Sequence, residues 1–455
     1  MPPLSCSKLL LLLAAAESFP DKNGKMTKPR KPLCVSFIDV KRAHFMSKVR
    51  RLIAVELPPE SRRPGIDEVG LLRRATYGTR GAAMCWEQEV ADLIVNQLGG
   101  EQSRATPCNF YIESRNLRIA VHGDDFETLG SMEDLRWFAV QLRTRWEIDE
   151  RGILGPPGVD GATQQIRHLN RIITWTPRGI EWESDPRHAD IVISSLGVTR
   201  SVTSPLVKEK LSQADEEDVE LSEEDTKLYQ SLTMRLGYVS QDRPDLQRAV
   251  RELAKGMSRP CERHMSMLKR VARYLIGARR AVQIIPLQKQ ISRITTYCDT
   301  DHAGCIRSRK STSGAVVTIG DAMLRSVCRG QSVIALSSGE SEFYGLVTAV
   351  SESLGDQSVA QGLGVKLGLE VYMDATAGAA IGSRRGLGRV KHIDTCFLWV
   401  QDLITSGRVK VRKVHTSENF SDILTKAVSG ALLRSLTERM GFVFRADRSN
   451  LALTA

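Results

Sequence analysis

Paired cysteines are missing from this chain. Its nine cysteines include no Cys-x-x-Cys pair and no zinc-knuckle spacing. That excludes a metal finger and argues against a disulfide framework, so reduced thiols in an intracellular protein, cytoplasmic or nuclear, are expected. Long apolar runs are missing as well. A membrane span needs about 20 consecutive apolar residues, and Leu9-Leu-Leu-Leu-Leu-Ala-Ala-Ala16 stops well short. With Lys8 before it, that run reads either as a signal-peptide core or as a buried helix over residues 8–17, closed by the polar break Pro20-Asp-Lys-Asn-Gly-Lys25. No zinc-binding pattern and no protease motif occurs.

What is present bounds the answer. A chain of 455 residues that is 42% hydrophobic has the length for two to three domains with real cores. A formal charge of +11 and a pI near 9.3 suit a polyanionic partner.

The stretch Thr295-Thr-Tyr-Cys-Asp-Thr-Asp-His-Ala-Gly304 organises the second half. Its alternation predicts a strand that delivers Asp299 and Asp301 at its end. Further on come Glu340 and Glu342, Asp374 after a strand over 369–373, and Asp422 at the start of the last helix. Strand ends and helix starts let separate segments aim carboxylates at one point, and hard divalent cations want such oxygen ligands. Taken singly, each acid is just one of 53; their placement in a strand–hairpin–strand–helix order favours a nuclease centre. Ser337-x-x-Glu340 has capping-box spacing, which assigns Glu340 to the helix start and leaves Glu342, one turn inside, to face Asp299.

The words themselves resemble a known family. Tyr297-x-Asp-x-Asp-x-Ala-Gly304, Arg309-Lys-Ser-Thr-Ser-Gly314, Ala335-Leu-Ser-Ser-x-Glu-x-Glu-Phe343, Lys391-His-Ile-Asp394 and Asp422-Ile-Leu-Thr-Lys426 look like the RNase H domain of copia-type LTR retrotransposon Pol polyproteins. The resemblance implies Asp299, Glu342, Asp374 and Asp422 as ligands of two Mg²⁺ ions, with Mn²⁺ as a substitute. It also implies cleavage of the RNA strand of RNA/DNA hybrids to a 5′-phosphate and a 3′-hydroxyl. Ala375 stands where the family has asparagine, so a nearby hydrogen bond is expected to be lost. His415 is either a product-release or proton-transfer residue or a solvent-exposed turn histidine. Arg384, Arg385, Arg389 and Lys391, spaced by glycines, form the densest basic patch and the first choice for substrate contact, since hybrids are read by phosphates and shape.

The first half resembles the same family's reverse transcriptase. Phe37-Ile-Asp-Val-Lys-x-Ala-x-Phe45 is similar to motif A, with Asp39 as ligand. Leu71-Leu-Arg-Arg-Ala-Thr-Tyr-Gly-Thr-Arg-Gly-Ala-Ala-Met-Cys-Trp86 is similar to motif B, with Arg73, Arg74 and Arg80 available for phosphates. Ile119-Ala-Val-His-Gly-Asp-Asp-Phe126 is similar to motif C, whose Asp124 and Asp125 would join Asp39 around two metal ions. In that family an apolar helix precedes motif A, which accounts for residues 9–16 without secretion. His122-Gly123 replaces the usual Tyr-Val, and Gly123 is expected to weaken its strand. The fingers segment is missing, so the polymerase half is expected to be truncated and inactive.

The expected architecture is multidomain, α/β and α+β. A partial palm and thumb span residues 1–203, and an acidic linker (Asp215-Glu-Glu-Asp218 through Glu223-Glu-Asp225) with a two-helix connection spans 204–288. An RNase H-like domain with a mixed five-stranded sheet follows at 289–440, then a tail at 441–455. The connection helices carry basic faces (Arg248, Arg251, Lys255; Lys269, Arg270, Arg273) that are either solvated surface or part of a hybrid-binding face. The expected function is that of a Pol fragment with an active RNase H part. The alternative is a decayed or co-opted remnant that binds nucleic acid without cutting it. Expected partners are RNA/DNA hybrid and further Pol modules, with no membrane.

Overall fold

The computed structural model describes residues 3–208, 219–388, 390–393 and 395–447. It is a mixed α/β structure with several sheets and two compact units. One comprises residues 1–14, 29–164 and 358–365; the other comprises 15–28, 165–357 and 366–455.

The first unit is built on a six-stranded antiparallel sheet. Its order is Ile148–Leu154, Leu33–Val40, Asp125–Ser131, Leu117–His122, Asn109–Ile112 and Glu101–Gln102. Leu33–Val40 is buried almost throughout, as a central strand packed on both faces must be. Phe126, Phe138, Trp86 and Trp146 fill the core beside it. The leucine-rich run belongs to the helix Leu4–Ala14, whose Leu9 to Leu13 are at most 1% exposed and whose Ser7 hydroxyl donates to Glu127 on the sheet at 2.7 Å. The run is core. Among the described residues no helix is long and apolar enough to cross a membrane.

The second unit holds two five-stranded sheets. One is antiparallel, in the order Gln165–His168, Arg171–Thr176, Gly179–Ser184, Arg280–Pro286 and Phe442–Arg445. Because of these pairings, residues 165–203 group with the later chain, and part of the expected tail is a strand. The other sheet is mixed: Ala322–Gly330, Thr312–Ile319 and Arg293–Asp301 are antiparallel, while Gly368–Met373 and Lys410–Lys413 run parallel to Arg293–Asp301. The helices Glu223–Ser240, Pro244–Ala254 and Glu262–Gly277 supply most of the neighbouring core through Leu232, Leu236, Leu253, Leu268 and Leu275.

Three local expectations need correction. Glu223, Glu224 and Asp225 are the first turn of a helix, where carboxylates complement the dipole and Ser222 caps by accepting from the Asp225 amide at 3.1 Å. Residues 215–218 of the expected acidic linker lie outside the described residues. Gly123 does not weaken a strand: it sits between His122 and Asp125 in the turn, with φ +69°, a conformation that favours glycine. Asp422 opens a separate single-turn helix, Asp422–Thr425, and the last helix is Gly430–Arg439.

Candidate active site

The central strand of the mixed sheet carries Asp299 near its C-terminal end, opposite Gly314 on the neighbouring strand. Asp374 directly follows the parallel strand Gly368–Met373. Open sheets gather ligand groups at the carboxyl ends of parallel strands in this way. Asp422 is brought in by side-chain anchors: Asn419 donates to the Cys298 carbonyl at 3.0 Å and Ser421 to the Tyr297 carbonyl at 2.6 Å. Gly314 makes the approach possible, since a Cβ there would meet Thr425 at 2.8 Å and Leu424 at 2.9 Å.

The outcome is a cluster in which carboxylate oxygens of Asp299, Asp374 and Asp422 lie within 4.8 Å of one another. Asp299 is 2% exposed and Asp422 6%. Glu342 stands beside this trio, on the helix Ser338–Gly362. Burial, then the charges of Asp299 and Asp374, push its pKa up to about 8. Burial pushes Asp299 up to about 6, against the pull of Lys426 and Thr425. Burial also raises Asp422, while Lys426 opposes it.

Lys426 closes the motif Asp422-Ile-Leu-Thr-Lys426. Its ammonium reaches Asp422 at 2.9 Å and Asp299 at 3.2 Å, so it is the internal counter-ion of the cluster. Burial works against its charge, but Asp299 and Asp422 prevail and raise its pKa. The i, i+4 spacing of Asp422 and Lys426 is a readable signal for that contact. The donor set suits a hard divalent cation: it consists of carboxylates, with Asp299 and Asp422 buried, and is crowded enough that Asp299 and Glu342 resist ionising without added positive charge.

Glu340 takes the capping position. The Ser337 hydroxyl accepts from the Glu340 amide at 3.2 Å, and the Glu340 carboxylate accepts from the Leu336 amide at 2.8 Å and Tyr344 at 3.0 Å. It also meets His392 at 2.7 Å, which ties that histidine to the helix that carries Glu342. Arg385 and Lys391 are exposed, Arg384 is folded back onto the Leu387 carbonyl, and Arg389 lies outside the described residues. His415 is an exposed residue of a turn, with its Nδ1 against the Ser417 hydroxyl at 2.8 Å. Ala375 is the N-cap of the helix Thr376–Ser383 and makes no side-chain cap, which locates the missing hydrogen bond.

The first unit gathers a second trio, Asp39, Asp124 and Asp125, also within 4.8 Å. Asp39 and Asp125 are directly paired across neighbouring strands. Arg151 bridges them, 2.9 Å from Asp39 and 3.1 Å from Asp125. It is the extra residue of a bulge, since Glu150 pairs with Ile38 and Gly152 with Phe37. Nothing in the sequence pattern marks that residue. Burial raises Asp39, with Arg151 opposing and Asp124 adding to it. Of the motif B arginines, Arg74 donates to the Met46 carbonyl at 2.5 Å, while Arg73 and Arg80 are exposed.

No protein-family model matches the chain. It is 24% identical over 417 residues to the retrovirus-related Pol polyprotein from transposon RE1 of Arabidopsis thaliana, covering 89% of this chain and 27% of that protein. Against the corresponding polyprotein from transposon TNT 1-94 of Nicotiana tabacum it is 25% identical over 411 residues, covering 87% of this chain and 30% of that one. Among solved structures, it is similar to a foamy viral protease-reverse transcriptase in complex with RNA/DNA hybrid, with TM-score 0.48 and 13% identity over 90% of this chain and 45% of that one. The chain thus spans less than a third of the length of these two curated relatives. Along most of its length the chain is similar to retrovirus-related Pol polyproteins of transposons, in keeping with its ordered copia-type motifs.

Proposed function

We propose that the second unit contains an RNase H-type nuclease that cuts the RNA strand of RNA/DNA hybrids, and that the first unit is a reverse transcriptase palm without polymerase activity. The observation that carries the nuclease reading is the convergence of Asp299, Asp374 and Asp422 from three separate segments, with Glu342 close enough to feel two of them. In this reading residues 289–440 are the RNase H domain, 204–288 the connection, and 1–203 palm and thumb. The place of action is inside the cell.

Asp299, Glu342, Asp374 and Asp422 would hold a pair of divalent cations, Mg²⁺ or Mn²⁺ in its place. When bound, such a pair supplies an activated water and charge stabilisation for the leaving 3′-oxygen. The chain's own residues do the remaining work. Thr425 donates to Asp299 and fixes that carboxylate. Lys426 neutralises Asp299 and Asp422. Through its contact with Glu340, His392 keeps its neighbour Lys391 by the helix that carries Glu342, for phosphate contact. The products expected are a 5′-phosphorylated RNA and a 3′-hydroxyl.

For the first unit, Arg151 favours the inactive reading. A planar guanidinium held by two carboxylates is harder to displace than a single-point ammonium. The test is incubation of the full chain with a hybrid labelled on its RNA strand, in Mg²⁺, with end-group analysis of the fragments. Fragments bearing 5′-phosphates that vanish with Asp299→Asn support the nuclease. Intact RNA with either protein contradicts it.

A further inference from the structure

A groove of about 1000 Å³ opens beside the nuclease cluster, within the second unit. Its walls are the helices Pro244–Ala254 and Glu262–Gly277 on one side and the 302–309 loop on the other, and Thr425 and Lys426 line it as well. Among the described residues, eight lysines and arginines line it against three carboxylates. An excess of positive charge in a concave surface concentrates field and selects a polyanion.

The walls are fixed before any ligand arrives. Arg248 ties the first helix to Asp301 at 3.2 Å, and Lys255 reaches the Cys305 sulfur at 3.5 Å. The loop is closed by its own bonds: the Arg309 amide donates to the Cys305 carbonyl at 2.8 Å and the Ala303 amide to the Ser311 hydroxyl at 2.9 Å. Ala303 and Arg309 are held at φ +50° and +54°, conformations that non-glycine residues adopt only where the surroundings impose them. Arg307 and Arg309 are thereby presented, exposed, on a set framework. Lys426 belongs both to the groove lining and to the carboxylate cluster, so the groove leads to Asp299.

We propose that this groove seats the phosphate backbone of the RNA/DNA hybrid and delivers it to the Asp299 cluster. The choice of hybrid rests on the nuclease reading; the choice of a polyanion rests on the groove alone. The basic faces of the connection helices are then part of the substrate track through Arg248, Arg263 and Lys255, and the 302–309 loop is its second wall.

The test is hybrid binding by the full chain carrying Asp299→Asn, measured by fluorescence anisotropy over a salt series. Arg307→Glu with Arg309→Glu should weaken binding about tenfold or more and lower the slope of log affinity against log salt by about two. Arg178→Glu with Lys289→Glu, exposed positions outside the groove, makes the same charge change and should leave affinity nearly unaltered. Hybrid should also shield Cys305, whose pKa is lowered by Ser308 and Lys255 against the effect of burial, from a maleimide mapped by mass spectrometry. Unchanged affinity in the Arg307/Arg309 variant, an equal loss in the control variant, or an unshielded Cys305 overturns the groove. Cleavage by the parent chain is scored separately. Cleavage without a groove effect removes the groove and keeps the nuclease; a groove effect without cleavage does the reverse.

Discussion

Asp39, Asp124 and Asp125 in one unit and Asp299, Asp374 and Asp422 in the other are both trios of carboxylates within 4.8 Å, yet a different cation stands against each. Arg151 is a bulge residue that bridges Asp39 and Asp125 with two guanidinium nitrogens. Lys426 is one helical turn from Asp422 and offers a single flexible ammonium to Asp422 and Asp299. Burial differs too: the first trio is half-buried throughout, while Asp299 and Asp422 are buried. Deeper burial raises the cost of uncompensated charge, so the second cluster gains more from a divalent cation and holds a counter-ion that yields more easily. The same carboxylate count therefore has two meanings.

Several substitutions sharpen or break this contrast. The largest effect is expected from Asp422→Asn, which should cost hybrid cleavage about a thousandfold through loss of a ligand in the transition state, read as kcat. Replacing the counter-ions comes next. Lys426→Met should tighten Mn²⁺ binding at the second cluster about tenfold by calorimetry, and Arg151→Leu should create Mn²⁺ uptake in the first unit that the parent lacks. Equal behaviour of the two variants would remove the distinction between the clusters. Gly314→Ala should destabilise the second unit by about 1–3 kcal/mol, because a Cβ there has no room beside Thr425 and Leu424; chemical denaturation measures it.

The pH dependence follows from Glu342. Its folded-state pKa of about 8 lies above its ordinary 4.5, so the protonated form is the one the fold prefers. Without divalent cations, its contribution is neutral at pH 4, grows destabilising as pH rises from 4.5, and is fully unfavourable once pH passes about 8. Glu342→Gln should match the parent in Tm at pH 4 and exceed it at pH 9 by about 3 °C, for about 1 kcal/mol. The smallest effect is Ala375→Asn, which restores a cap on the helix Thr376–Ser383 and should add about 1 kcal/mol or less.

Much of this was legible in the chain. Strand alternation located Asp299, the hairpin expected after that strand appears as the pair Thr312–Ile319 and Ala322–Gly330, and capping-box spacing separated Glu340 from Glu342. These features depend on neighbours in sequence, which is why they can be read. The strand Phe442–Arg445 and its partner Arg280–Pro286 could not be, because only long-range pairing makes them a sheet. Arg151 was hidden for a similar reason: a register shift decides where it points. Gly123 reads as a strand defect from sequence because apolar residues precede it, whereas the strands end at His122 and resume at Asp125.

The most direct measurement compares Asp299→Asn and Asp39→Asn in one hybrid-cleavage assay with Mg²⁺. Asp299→Asn should abolish cleavage while Asp39→Asn retains the parent rate. Cleavage that survives Asp299→Asn, or that falls equally in both variants, would contradict that expectation.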